Sequence, residues 1–125
     1  MPEKNKIGHL ARFAPATRNS IAGLKAAYKH EIAFRQEVFL LLVLTPVAFY
    51  IANGFVEFVL LMSGIVVIII TELLNSAIEA VVDRVGLERH ELSGRAKDLA
   101  SAAVTTSLII ASLVWLAFII QYFSR

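Results

Sequence analysis

The chain has 125 residues, carries a formal net charge of +2, contains no cysteine and is 58% hydrophobic, with a mean hydropathy of +0.70. Soluble domains usually hold about 45–50% apolar residues, so the composition excludes an ordinary soluble domain. The missing cysteines exclude disulfides, thiolate catalysis and cysteine-bound metal. Most charges lie in residues 3–37 and 83–98, with long apolar blocks between them. We therefore predict an all-α membrane protein that forms a single domain over residues 1–125.

The first predicted element covers residues 7–29, where apolar residues are interspersed with arginine and lysine. This pattern is typical of a basic amphipathic helix that lies on the membrane surface, although an ordinary solvated helix would show it too. Pro15 predicts a break or restart in this helix. Asn19 or Ser20 is expected to cap its second part.

Three apolar segments follow, and each is long enough to cross a membrane once its polar ends are included. The predicted transmembrane helices cover residues 31–52, 58–82 and 99–122. Pro46 is expected to kink the first of them. Small residues give the third a face suited to close helix packing.

Two connections of different character join these helices. Asn53 and Gly54 predict a short turn, whereas residues 83–98 predict a polar loop in which Ser93 caps the third span. Residues 1–37 carry seven Lys and Arg and the 83–98 segment carries four, but residues 53–57 carry none. By the positive-inside rule, the N-terminus and the 83–98 loop face the cytoplasm.

A stripe of polar residues runs along the second span. Glu72, Asn75, Glu79 and Asp83 are spaced 3, 4 and 4 residues apart, so they share one face of a helix. Ionisable groups inside a membrane are usually functional. A poorly solvated Glu72 could serve as a general base for a hydroxyl group, or it could be a protonated residue that only joins two helices.

Glu31 is expected at the same membrane interface as Glu79, and the two carboxylates with phosphate oxygens would suit Mg²⁺. Glu31 could instead pair with Lys29 or Arg35. Arg95 and Lys97 begin the third span, where an anion is favoured, so the loop and the stripe together suit a metal–polyphosphate ligand. Alternatively, the loop charges neutralise one another; these are Asp83, Arg84, Arg95, Lys97 and Asp98.

The segments Glu72–Arg84, His90–Asp98 and Ser101–Ala103 resemble the bacterial integral-membrane diacylglycerol kinases, and so do Gly23–Ala27, Glu31 and 33–37. The similarity covers about residues 12–120. The loop is more similar to the Gram-negative diacylglycerol kinases than to the related undecaprenol kinases. The chain departs from the family pattern at Pro15, Asn19, Leu87 and Arg89.

The resemblance implies a homotrimer of three-span subunits in the bacterial inner membrane, with active sites shared between subunits at the cytoplasmic interface. It implies ATP-dependent phosphorylation of diacylglycerol to phosphatidic acid, with Mg²⁺. Glu72 would be the catalytic base, Asn75 would support it, and Glu31 and Glu79 would hold the metal. Cofactor-binding residues would be Arg12, Asn19, Glu31, Glu79, Glu88, Arg89, His90, Lys97 and Asp98, and substrate residues would be Arg12, Ser20, Arg35, Glu37, Glu72, Ser101 and Trp115.

Three alternatives stay open at the level of sequence. The same scaffold could phosphorylate undecaprenol or another lipid. Glu72 and Glu79 could instead carry ions in a small proton- or cation-coupled transporter, although no inverted repeat supports this. A purely structural membrane subunit would leave Glu72 unexplained.

No Walker A, dinucleotide-binding or protein-kinase motif is present, so a nucleotide site here would be of an unusual kind. No feature predicts nucleic-acid binding.

Overall fold

The computed structural model describes residue 8 and residues 10–125, and all regular secondary structure in these residues is helical, as the sequence predicts. A single 3₁₀ turn, Leu10–Arg12, precedes four α-helices. They are α1 (Phe13–His30), α2 (Ile32–Ile51), α3 (Phe55–Val85) and α4 (Glu91–Phe123). The last three are long and apolar enough to cross a membrane, which confirms the three predicted spans. Ile7, where the predicted surface helix begins, lies outside the described residues.

α1 begins where the sequence suggested a break. Pro15 lies in its first turn, where the missing N–H has no partner to lose and the fixed φ favours a helix. Asn19 and Ser20 therefore lie inside a continuous helix, and the prediction that one of them caps it is wrong. The Ser20 hydroxyl donates a hydrogen bond to the Ala16 carbonyl at 3.0 Å.

The turn between α2 and α3 confirms the prediction made from Asn53 and Gly54. Gly54 has a φ of +98°, a conformation that favours glycine. The Glu57 carboxylate reaches back and accepts the Asn53 N–H at 2.8 Å. Because a carboxylate is also favoured in the first turn of a helix, α3 begins at Phe55 rather than at the predicted residue 58.

The helices on either side of the second connection are longer than predicted. Only residues 86–90 separate α3 from α4, so most of the predicted 83–98 loop is helical. At 31 residues, α3 is about 46 Å long, which exceeds the ~30 Å hydrocarbon core and lets its charged end project into water. His90, not Ser93, caps α4, since its Nδ1 accepts the Leu92 N–H at 3.0 Å.

α3 is the central helix of the chain, because it packs along α4 on one side and against α2 on the other. A small apolar cluster of Ala48, Ile51 and Leu61 lies near the α2–α3 turn. Trp115 packs against this cluster and donates its indole N–H to the Leu61 carbonyl at 3.0 Å. Many large apolar side chains of α2, α3 and α4 are exposed on the single chain, as expected for helices surrounded by lipid or by other helices.

Candidate active site

The polar stripe of α3 passes from the buried part of the chain to its exposed end. Glu72 is 7% exposed and is the one buried carboxylate in the described part of the chain. Asn75 and Glu79 are half-buried, and Asp83 is exposed. The stripe therefore offers carboxylates in different surroundings along one helix face.

Several polar atoms near Glu72 lack a hydrogen-bond partner among the described residues. They are Asn75 Oδ1, Ser76 Oγ and Glu37 Oε2, and all three are buried. The Asn75 amide group makes one long contact, from Nδ2 to Glu79 Oε1 at 3.5 Å. Buried polar atoms are normally paired, so a cluster of unpaired ones indicates a site that a ligand completes.

Negative charge accumulates around Glu72. Its carboxylate lies close enough to those of Glu31, Glu37 and Glu79 for their charges to repel one another. Lys97 supplies positive charge: it forms a 2.7 Å salt bridge with Asp83 and also attracts Glu79. The excess of carboxylates means that a cation would be stabilised here.

The oxygen atoms present suit a hard divalent cation. Mg²⁺ is usually held by one or two carboxylates, with water and phosphate oxygens filling the remaining positions. Glu31 and Glu79 supply carboxylates, and the unpaired Asn75 Oδ1 supplies an amide oxygen. Within residues 8 and 10–125, no group of three or more His, Asp or Glu is arranged so that it could hold a metal ion.

A cavity of 660 Å³ separates α1 from α3 beside this cluster. Leu24, Ala27 and Leu73 contribute to its largely apolar wall, while Ser20, Glu31 and Ser76 contribute polar atoms. Such a cavity suits an amphiphilic ligand whose polar end meets the carboxylates. Ser76 was not recognised from the sequence, although it lies one helical turn after Glu72.

A second, smaller cavity of 230 Å³ lies at the α3–α4 connection. It brings together four of the residues predicted to bind a nucleotide: Glu88, Arg89, His90 and Lys97. His90 Nδ1 is used in capping α4, which leaves Nε2 as its free ring nitrogen. Part of the alternative interpretation is confirmed, because Lys97 pairs with Asp83 across the connection.

The remaining predicted site residues are less closely associated with these cavities. Arg12, Asn19, Asp98 and Ser101 are exposed and line neither of them. Arg35 donates to the Tyr28 carbonyl at 2.7 Å and to the Lys29 carbonyl at 3.2 Å. Trp115 is far from the cluster: its partner Leu61 precedes Glu72 by eleven positions on α3, which is about 16 Å along the helix.

Comparison with known proteins identifies the family. The family model for prokaryotic diacylglycerol kinase matches residues 18–119, which include every predicted site residue except Arg12. The chain belongs to the prokaryotic diacylglycerol kinase family. The match confirms the resemblance seen in the 72–84 and 90–98 segments.

Relatives named diacylglycerol kinase match over most of the chain. The protein of Haemophilus influenzae is 48% identical over 110 residues, covering 88% of this chain and 93% of its own length. The protein of Pseudomonas aeruginosa is 48% identical over 114 residues, or 91% and 92% of the two chains. The Escherichia coli K12 protein is 44% identical over 119 residues, or 95% and 98%.

Proposed function

We propose that the chain transfers the γ-phosphoryl group of ATP to the primary hydroxyl of diacylglycerol and so forms phosphatidic acid. Its family makes it a lipid kinase that acts on diacylglycerol, with ATP as the co-substrate of a kinase. One observation supports this position of the active site. Glu72 is buried close to three other carboxylates and lies beside a cavity with an apolar wall.

Glu72 acts as the general base in this proposal. Phosphoryl transfer depends mainly on in-line positioning and on neutralisation of charge, so few protein groups are needed. The lipid hydroxyl approaches Glu72 from the cavity between α1 and α3, and its proton passes to the carboxylate as its oxygen attacks the γ-phosphorus. The bond from this phosphorus to the β–γ bridging oxygen breaks, and ADP leaves with that oxygen. Asn75, one helical turn away, would support the site through its amide group, whose Nδ2 contacts Glu79 Oε1 at 3.5 Å.

Glu31 and Glu79 would hold Mg²⁺, with Asn75 Oδ1 as a further oxygen donor. When bound, the cation supplies charge neutralisation at the phosphate oxygens. Lys97 pairs with Asp83 and is close enough to attract Glu79, so it would add positive charge near the phosphates. These groups oppose the repulsion between the carboxylates and the incoming triphosphate.

The nucleotide would occupy the cavity at the α3–α4 connection. Glu88, Arg89 and His90 line it together with Lys97. Because this cavity lies beyond the polar stripe, the phosphates would lie between the connection and Glu79 in this proposal. Asp98 and the exposed Arg12 and Asn19 would complete the nucleotide side, and Ser20 and Ser101 the lipid side.

We further propose that the chain lies in the bacterial inner membrane, with its N-terminus and the α3–α4 connection in the cytoplasm. The distribution of Lys and Arg supports this orientation, and it places the nucleotide cavity where ATP is available. The homotrimer with shared active sites, implied by the family resemblance, would cover part of the exposed apolar surface.

An acceptor assay tests the proposal. The purified chain in mixed micelles receives labelled ATP with diacylglycerol or with undecaprenol, and labelled lipid is separated from nucleotide. We expect Mg²⁺-dependent labelling of diacylglycerol, at a rate at least about tenfold above that with undecaprenol. Preferential labelling of undecaprenol would replace the proposed acceptor. No labelled lipid at all, from protein with intact helices, would contradict the kinase reaction and reopen the transporter alternative.

A further inference from the structure

The joint between α1 and α2 is unusually short. Glu31 alone separates the two helices, and it adopts an extended conformation with φ of −112° and ψ of 111°. Its N–H donates to the Ala27 carbonyl at 2.8 Å, and its own carbonyl accepts the Arg35 N–H at 3.3 Å. Glu31 is thus attached to both helices, and the angle between them determines where its carboxylate points.

Packing does little to hold α1 in place within one chain. Of its described residues, only Ala27 is buried, whereas α2 and α3 bury several each. α1 nevertheless forms one wall of the 660 Å³ cavity. A tilt of this helix about Glu31 would therefore change both the cavity and the distance from Glu31 to Glu72.

The Arg35 side chain bridges the joint. Arg35 belongs to the first turns of α2, and its Nη1 donates to the carbonyls of Tyr28 and Lys29 in the last turn of α1, at 2.7 and 3.2 Å. Carbonyls at a helix C-terminus lack partners within their own helix, and a positive charge is favoured there. Both effects make this contact stronger than an ordinary surface hydrogen bond.

We propose that Arg35 is a positioning residue that locks the angle between α1 and α2 and so places the Glu31 carboxylate beside Glu72 and Glu79. This role differs from a direct contact with the lipid, which the family resemblance implies for Arg35. Its consequence for catalysis rests on the proposed function, but the locking of the helix angle does not.

A spin label on α1 tests the lock without using activity. The chain has no cysteine, so Lys25→Cys gives a single labelling site, on an exposed residue that lines neither cavity. We expect Arg35→Gln to increase the mobility of the label clearly. Arg35→Lys keeps a positively charged group with three N–H donors and should restore most of the original spectrum. Arg18→Gln removes an exposed arginine from α1 itself and should leave the spectrum unchanged.

Kinetics on the same variants separate positioning from lipid contact. If Arg35 acts through the joint, Arg35→Gln should raise the KM for Mg²⁺–ATP by about tenfold, because Glu31 is displaced. It should also raise the KM for diacylglycerol, because α1 forms a wall of the cavity assigned to the lipid, and both changes should be largely rescued in Arg35→Lys. An unchanged label spectrum in Arg35→Gln would overturn the lock. A raised KM for diacylglycerol alone would overturn the positioning role in favour of lipid contact. If the wild-type chain had no kinase activity, the proposed function would fail, and the label would still decide whether Arg35 locks the joint.

Discussion

Two glutamates of α3, Glu57 and Glu72, occupy opposite kinds of environment. Glu57 is fully partnered: one oxygen accepts the Gln121 amide at 3.0 Å, and the other accepts the Asn53 N–H at 2.8 Å and lies 3.7 Å from Arg125. Glu72 is more deeply buried, and its charged neighbours are other carboxylates. Partnered charges at a helix junction serve stability, whereas a buried carboxylate without a cation costs stability and indicates function.

The sharpest test of this contrast exchanges each carboxylate for an amide of the same shape. Glu72→Gln should lower the rate of phosphatidic acid formation by about 10²–10⁴-fold, because an amide does not accept the hydroxyl proton. The rate is measured with labelled ATP in mixed micelles, and circular dichroism and gel filtration check that the helices and the assembly are retained. Glu57→Gln, the matched control, should keep a near-normal rate per folded molecule. Comparable rates in the two variants would remove Glu72 from its role as base.

The next prediction concerns the exposed end of the stripe. Glu79→Gln should raise the Mg²⁺ concentration needed for half-maximal rate by about 10–100-fold, because a carboxylate ligand is lost. The rate is followed against free Mg²⁺ at saturating ATP.

Asp83→Asn provides the control for Glu79→Gln, since Asp83 lies one turn further along α3 and pairs with Lys97 instead. Its Mg²⁺ requirement should stay within about twofold of the wild type. Equal shifts in the two variants would mean that the loss of negative charge, and not the loss of a ligand, changes the metal dependence.

At the other end of α3, we expect replacement of Glu57 to lower the stability of the fold. Glu57→Gln weakens the contacts that join the α2–α3 turn to Gln121 and Arg125 near the end of α4, so the midpoint of thermal unfolding in detergent should fall by a few degrees. Glu91→Gln breaks an exposed ion pair within one helix, with Arg95 at 3.2 Å, and should leave the midpoint nearly unchanged. An unaltered midpoint in Glu57→Gln would contradict a structural role for its contacts.

The number of spans and their approximate positions were predictable from the sequence, because hydropathy determines them. Long apolar runs identified the three spans, and Asn53 with Gly54 identified the turn. The helix ends were missed, because side-chain contacts set them: Glu57 extends the start of α3, and His90 caps α4 ahead of Ser93. A hydropathy pattern ends the predicted span at the first charged residues, and it does not show that these residues extend or cap the helix.

The site was predictable where it lies on one helix. Spacing alone placed Glu72, Asn75 and Glu79 on one face. Contacts between helices were not predictable in the same way, because they depend on tertiary packing. The Arg35 bridge to α1 and the position of Trp115 against Leu61 are of this kind.

The close approach of α3 and α4 gives a prediction that concerns stability alone. A Cβ atom added at Gly64 would lie 3.1 Å from the Ala111 Cβ and 3.3 Å from its Cα, so Gly64→Ala should lower the free energy of unfolding by about 1–3 kcal/mol through overpacking. The double variant with Ala111→Gly should recover much of the loss, and the coupling between the two sites measures the contact. In Gly94→Ala the new methyl group has no neighbour within 4 Å, so helix propensity should raise stability by up to about 1 kcal/mol. A stabilising Gly64→Ala would show that the two helices separate more easily than this contact implies.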